Sequence, residues 1–132
     1  MTEGLTLRLT IADPVAGLHY CLQNPKNVPV DIRLSTEAPL SFDVPVILRP
    51  DGRLSGPFVR REGKLRRFVY IAIAGQLGPL AVSRRAKIDV HDIPAELLRP
   101  GALLEATLPG RGKDGTPTCA TVRPLEPWRI LP

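Results

Sequence analysis

Aromatic side chains are scarce in this chain, 5% of 132 residues, and cysteine and histidine occur only twice each. Two cysteines cannot build a disulfide scaffold. Cys21 and Cys119, together with His19 and His91, make up all the histidine and cysteine present, at spacings that match no zinc motif, so no metal or other cofactor is expected. Few aromatics also weigh against the stacking platforms on which single-stranded nucleic acids lie. Long apolar runs are missing as well. The longest uncharged stretch, 68–83, is interrupted by Gly75, Gln76, Gly78 and Pro79 and is shorter than the roughly 20 residues of a spanning helix. The opening MTEGLTLRLTIADP carries Glu3 and alternating polarity, with no basic start before an apolar core, so it does not read as a secretory signal. These absences predict a cytoplasmic protein with reduced thiols.

Proline is abundant instead: 15 residues, about twice its usual ~5% share. Proline inside a helix removes a backbone donor and costs about 3 kcal/mol, so long helices are excluded. Between the prolines the polarity alternates with a period of two, the signature of half-buried strands. LTLRLTI sets Leu5, Leu7, Leu9 and Ile11 on one face; GLHYCLQ sets Leu18, Tyr20 and Leu22 against His19, Cys21 and Gln23. VPVDIRLS sets Val28, Val30, Ile32 and Leu34 together as its apolar face, and SFDVPVIL does the same with Phe42, Val44, Val46 and Leu48. Pro45 falls on the other face of that last strand and marks it as an edge.

Reversals are expected at Pro50–Arg53, at Glu62-Gly63-Lys64 and in GQLGP, so 42–90 reads as a four-stranded antiparallel meander with FVYIAIA, apolar on both faces, at its centre. One short helix is expected over DIPAELL, capped by Asp92 with Pro94 in its first turn. A further hairpin is expected around Gly110–Gly115. The prediction is therefore a single β domain over 1–132: about eight antiparallel strands in a sandwich or partly closed barrel, with one short helix.

Charge is concentrated. Arg60, Arg61, Lys64, Arg66, Arg67, Arg84, Arg85 and Lys87 are eight of the 18 basic residues, and only Glu62 accompanies them, in a chain of net charge +5. A simple hairpin through GQLGP would place Arg67 opposite Lys87 and Val69 opposite Arg85, bringing the two basic runs together. Like charges facing across strands repel. Such a cluster is either a solvated hairpin tip or an anion site. As a site it would consist of Arg60, Arg61, Arg66, Arg67, Arg84, Arg85 and Lys87, taking an anionic small molecule or a protein partner.

A nucleic-acid-binding accessory role is the alternative, and a small enzyme using His19 and Cys21, a thiol beside an imidazole on one strand face, is a third. The end of a small barrel would also accept an apolar ligand, and exposed edges leave room for a homodimer. The carboxylates Asp31, Asp43, Asp51, Asp89, Asp92 and Glu105 are dispersed, and GRGKDG lacks the strand and helix that frame a phosphate loop.

The segments GPFVRREGKLRRFVYIAI, RRAKI at Arg84–Ile88 and LLEATLPGRGKDGTPTCATVRPLEPWRI resemble the bacterial family catalogued as domain of unknown function 5990, with HYCLQ a looser match. The resemblance covers most of the chain. It implies a bacterial single-domain protein and supplies no catalytic residues. Arg67, the Arg-Arg-Ala-Lys run and Arg123 fall within the shared pattern.

Overall fold

Leu5, Leu7, Leu9 and Ile11 are all buried, each 4% exposed or less, and they belong to a strand that organises the first of two sheets. The computed structural model describes residues 3–26, 28–51, 54–56, 59–61, 64–73, 85–110 and 128–132, with backbone alone at 3, 59–61 and 64–66. Its strands are β1 (Glu3–Ile11), β2 (His19–Gln23), β3 (Pro29–Leu34), β4 (Leu40–Leu48), β5 (Leu54–Ser55), β6 (Val59–Arg61), β7 (Lys64–Arg66), β8 (Phe68–Ile73), β9 (Ala86–Asp89), β10 (Leu103–Leu108) and β11 (Arg129–Ile130).

The first sheet runs β11-β10-β1-β4-β5, the second β3-β2-β8-β9, and β6 and β7 form a separate ribbon. Leu7, Phe42, Val44 and Leu104 from the first sheet and Tyr20, Leu22, Ile71 and Ile88 from the second join one buried apolar cluster. The fold is thus all-β and sandwich-like, as the alternation predicts, and the described strands do not close into a barrel.

Three expectations need correction. First, β1 and β10 pair in parallel, Thr6 opposite Leu103 through Ile11 opposite Leu108, so the sheet is mixed rather than antiparallel. A parallel pair needs a long crossover, and the chain between β1 and β10, which builds the whole second sheet, provides it. Second, 42–90 is not one meander. The expected reversals do form hairpins, β4 with β5, β6 with β7 and β8 with β9, but these belong to three different ladders. The sequence punctuates them with Gly56-Pro57 and with Arg67, which lies outside both flanking strands. Third, the helix expected over DIPAELL is replaced by two single 3-10 turns, Val90–Asp92, which ends on the first residue of that segment, and Ala95–Leu97. Asp89, not Asp92, caps the first by accepting from the His91 N–H, and Pro94 precedes the second without a side-chain cap.

Strand β3 departs from expectation in a different way. Its apolar residues do not face the core: Val28, Val30, Ile32 and Leu34 are 51–58% exposed. The β2 ladder sets Ile32 opposite Cys21 and Arg33 opposite Tyr20, so the apolar set of β3 shares the outer face of the sheet with Cys21. Tyr20, the larger core residue, decides which face of the pair goes inward. β4 buries Phe42, Val44 and Val46 as predicted, with Leu48 partly buried and Pro45 exposed, but it is not the edge that Pro45 suggested: β5 lies beyond it, pairing only with Ile47 and Leu48 and leaving Pro45 beyond its reach. The segment 111–127, which holds most of the expected Gly110–Gly115 turn, Cys119 and Arg123, lies outside the described residues.

Candidate functional site

The register of β8 against β9 decides what becomes of the basic cluster. Tyr70 is opposite Lys87, Val69 opposite Ile88 and Phe68 opposite Asp89. Arg67 therefore does not meet Lys87, and Val69 does not meet Arg85. The observed register lies three residues from the expected one, and an odd shift exchanges the faces of the strand. Burial explains the choice. Val69 and Ile71 now pair with Ile88 and Ala86 on the core face, all 4% exposed or less, whereas the expected register would have set Val69 against an arginine.

The seven predicted site residues accordingly separate. Arg85 and Lys87 stay together on the outer face of the second sheet, where each covers an aromatic ring. The Arg85 guanidinium carbon lies 3.7 Å from the Tyr70 centroid and the Lys87 Nζ 4.3 Å from that of Phe68, while the two rings meet edge-on at 5.2 Å. Cations at these distances are attracted by the ring faces, so this part of the cluster stabilises the sheet surface. Arg60, Arg61 and Arg66 lie in the ribbon, opposite Leu65, Lys64 and Val59 respectively. Arg84 lies outside the described residues.

Arg67 goes elsewhere. Its carbonyl accepts the N–H of Val90 at 3.1 Å, tying the chain just before β8 to the first 3-10 turn. Beside that tie lies a cleft of about 440 Å³, with Leu54, Val90, Ile93, Ala95 and Leu98 as its apolar wall and Arg67 and His91 as its polar residues. Val90 and Ile93 are buried members of the core cluster, so part of the wall is continuous with the packed interior. The Nε of Arg67 is buried and has no hydrogen-bond partner among the described residues. Leaving such a donor desolvated and unpaired costs about 1–3 kcal/mol.

His91 is held in place by Asp89. One carboxylate oxygen of Asp89 accepts the His91 backbone N–H at 2.9 Å and meets the ring Nδ1 at 2.8 Å. Burial pushes the Asp89 carboxyl up, but the hydrogen bonds and charge of His91 together with the charge of Lys87 hold the group below its ordinary value. With Nδ1 engaged by Asp89, Nε2 is the other hydrogen-bonding nitrogen of the ring.

The His19 and Cys21 pair does not assemble into a nucleophile. His19 is exposed, whereas Cys21 is 2% exposed and its thiol donates only weakly to the Leu22 carbonyl at 3.7 Å. Burial pushes the thiol up, and the neighbouring Asp31 adds to the shift against a smaller opposing hydrogen bond from Gln23. A thiol so shifted is a poor nucleophile at neutral pH. No group of three or more histidine, cysteine, aspartate or glutamate side chains among the described residues is arranged to hold a metal.

Sequence reasoning singled out Arg67 for the wrong neighbours and missed the cleft. Ile93, Ala95 and Leu98 are apolar positions of DIPAELL, but nothing in their spacing tells that the turns fold back beside Arg67.

Fold and cleft together define a small two-sheet β domain with a largely apolar hollow into whose lining Arg67 brings a buried Nε that has no hydrogen-bond partner among the described residues. The model of a family of unknown function, DUF5990, matches residues 5–131, and the chain belongs to that family. No curated protein and no solved structure matches it.

Proposed function

We propose that the protein is a binding module for a small amphipathic anion, a carboxylate or phosphate carrying an aliphatic body, and that the cleft beside Arg67 is its site. The observation that carries this reading is the buried Nε of Arg67, without a partner among the described residues, on a largely apolar wall. A guanidinium offers paired N–H donors that match a carboxylate or phosphate, and such charge-assisted bonds are about twice as strong as neutral ones. The size supports it too, since about 440 Å³ falls within the range of roughly 300–1,000 Å³ common for small-molecule sites. His91 Nε2 supplies a second polar contact to the head group. Arg85 and Lys87 are already engaged with Tyr70 and Phe68, and so are a weaker candidate for the anion. The same engagement occupies the ring faces that bases would need, so nothing favours the nucleic-acid alternative.

Calorimetric titration with octanoate, hexyl phosphate and octanol tests the proposal. Octanoate or hexyl phosphate binds wild type measurably more tightly than octanol, and Arg67→Met weakens binding of the anions by about tenfold to a hundredfold while leaving octanol unaffected. Equal binding of octanol and octanoate, or no effect of Arg67→Met, defeats it.

A further inference from the structure

Of the six large apolar side chains exposed among the described residues, four lie within 28–34: Val28, Val30, Ile32 and Leu34. They belong to β3 and its approach, and β3 is the edge of its sheet, pairing only with β2 among the described strands. An apolar, unpaired edge is an invitation to another strand. We infer that β3 pairs antiparallel with β3 of a second copy about a two-fold axis at Ile32, joining two four-stranded sheets into one.

Two observations fix the geometry. The Ser35 N–H donates to the Leu18 carbonyl at 2.7 Å, and Leu18 and Ser35 continue the β2–β3 register in which His19 faces Leu34. Backbone groups alternate in direction along a strand, so Arg33 points its N–H and C=O toward β2 while Ile32 and Leu34 point theirs out of the sheet. The free edge is therefore offered where the apolar side chains stand. Charge then selects the register. With the axis at Ile32, Asp31 of one copy faces Arg33 of the other, twice, and Val30 faces Leu34. Moving the axis to Asp31 or to Arg33 sets like charges against each other across the axis. Opposite charges directly across a ladder stabilise it and like charges destabilise it. Asp31 and Arg33 are already neighbours within the chain, Arg33 Nε donating to Asp31 Oδ2 at 3.0 Å, and both side chains are 40–51% exposed. In the paired state they form a closed set of four alternating charges on the sheet face opposite the Ile32 contact. The contact is isologous, so it closes as a dimer and does not propagate.

Sedimentation velocity of the full chain over a concentration series provides the test. Wild type sediments as a dimer at high concentration. Asp31→Arg and Arg33→Asp, each of which creates like-charge pairs counted twice by the symmetry, weaken self-association by about tenfold or more. The double variant Asp31→Arg with Arg33→Asp restores it. Circular dichroism checks that each variant remains folded, and Ile32→Lys, on the axis, gives an independent disruption. A second readout needs no variant: the outward Ile32 amide exchanges more slowly with deuterium as wild-type concentration rises. A wild type that stays monomeric throughout overturns the inference. So does a dimer indifferent to the single charge reversals, or one that the double variant fails to restore.

Discussion

The Val90 N–H donates to the Arg67 carbonyl at 3.1 Å, and this bond joins the residue before β8 to the 3-10 turn after β9. The side chain of Arg67 thereby becomes part of a cleft wall and leaves the outer sheet surface to Arg85 and Lys87. A basic cluster that looks continuous in sequence is thus divided between a cleft and a sheet surface.

That division is testable by substitution. Arg85→Ala and Lys87→Ala remove cations from aromatic faces and each costs about 0.5–1 kcal/mol of stability, read by urea unfolding. Neither changes octanoate affinity. Arg67→Met shows the reverse pattern: it weakens anion binding, yet the unliganded protein is as stable as wild type or more so, because an unsatisfied buried donor has been removed.

Across the first sheet Asp43, Arg8, Glu105 and Arg129 stand in one row of alternating charge. Arg8 holds both oxygens of Asp43, at 2.8 and 3.1 Å, and Arg129 reaches Glu105 at 2.5 and 3.1 Å. The hydrogen bond from Arg129 is the main cause that holds the Glu105 carboxyl below its ordinary value, against an upward push from burial and with help from Thr10. Arg8 does the same for Asp43. A depressed folded-state pKa contributes stability above the unfolded-state pKa and loses it as pH falls through the folded value. Urea midpoints should therefore be highest near neutrality and fall in acid, below the ordinary carboxylate range. Glu105→Gln flattens that fall and lowers stability at neutral pH by about 1–3 kcal/mol.

Gly110 has no room for a side chain. A Cβ there would lie 2.1 Å from the Asp13 carbonyl oxygen and 2.7 Å from the Pro14 Cα, while Tyr20 donates to the Gly110 carbonyl at 3.5 Å. Gly110→Ala must move backbone and costs about 1–3 kcal/mol or more. Gly4→Ala, whose Cβ would meet only the Val46 carbonyl at 3.9 Å, is the control and changes stability by no more than about 1 kcal/mol in either direction.

Cys21 should resist alkylation while the protein is folded. Iodoacetamide at neutral pH, followed by peptide mass spectrometry, should modify it far more slowly than a model thiol and at the model rate once urea unfolds the chain. Fast labelling of native Cys21 would revive a nucleophilic role.

Much of the fold was legible in sequence because a period of two in polarity reports directly on half-buried strands. The buried set of β1, Phe42, Val44 and Val46 of β4 and the inward Tyr20 and Leu22 of β2 follow from it, while Leu48 at the end of β4 is only partly buried. β3 shows where the rule stops. Its alternation is as clear as that of β1, but a strand face turns inward only if its ladder partner's does, and Tyr20 outweighs Ile32 in that competition. A symmetric loop between β8 and β9 would set Val69 against Arg85, but burial of Val69 against Ile88 fixes the register, and loop length does not report that preference. The parallel contact of β1 with β10 and the cleft beside Arg67 depend on chain paths dozens of residues long, and local pattern carries no record of them.

The most direct measurement of the central claim is the Nε–H resonance of Arg67, followed by proton–nitrogen NMR as octanoate is added to the full chain. Binding in the cleft supplies the missing acceptor, so that resonance should shift and its exchange with solvent should slow, saturating with the calorimetric isotherm, while the side-chain resonances of Arg85 and Lys87 stay in place. An unmoved Arg67 resonance beside shifting Arg85 and Lys87 signals would return the anion to the sheet surface and contradict the cleft as the site.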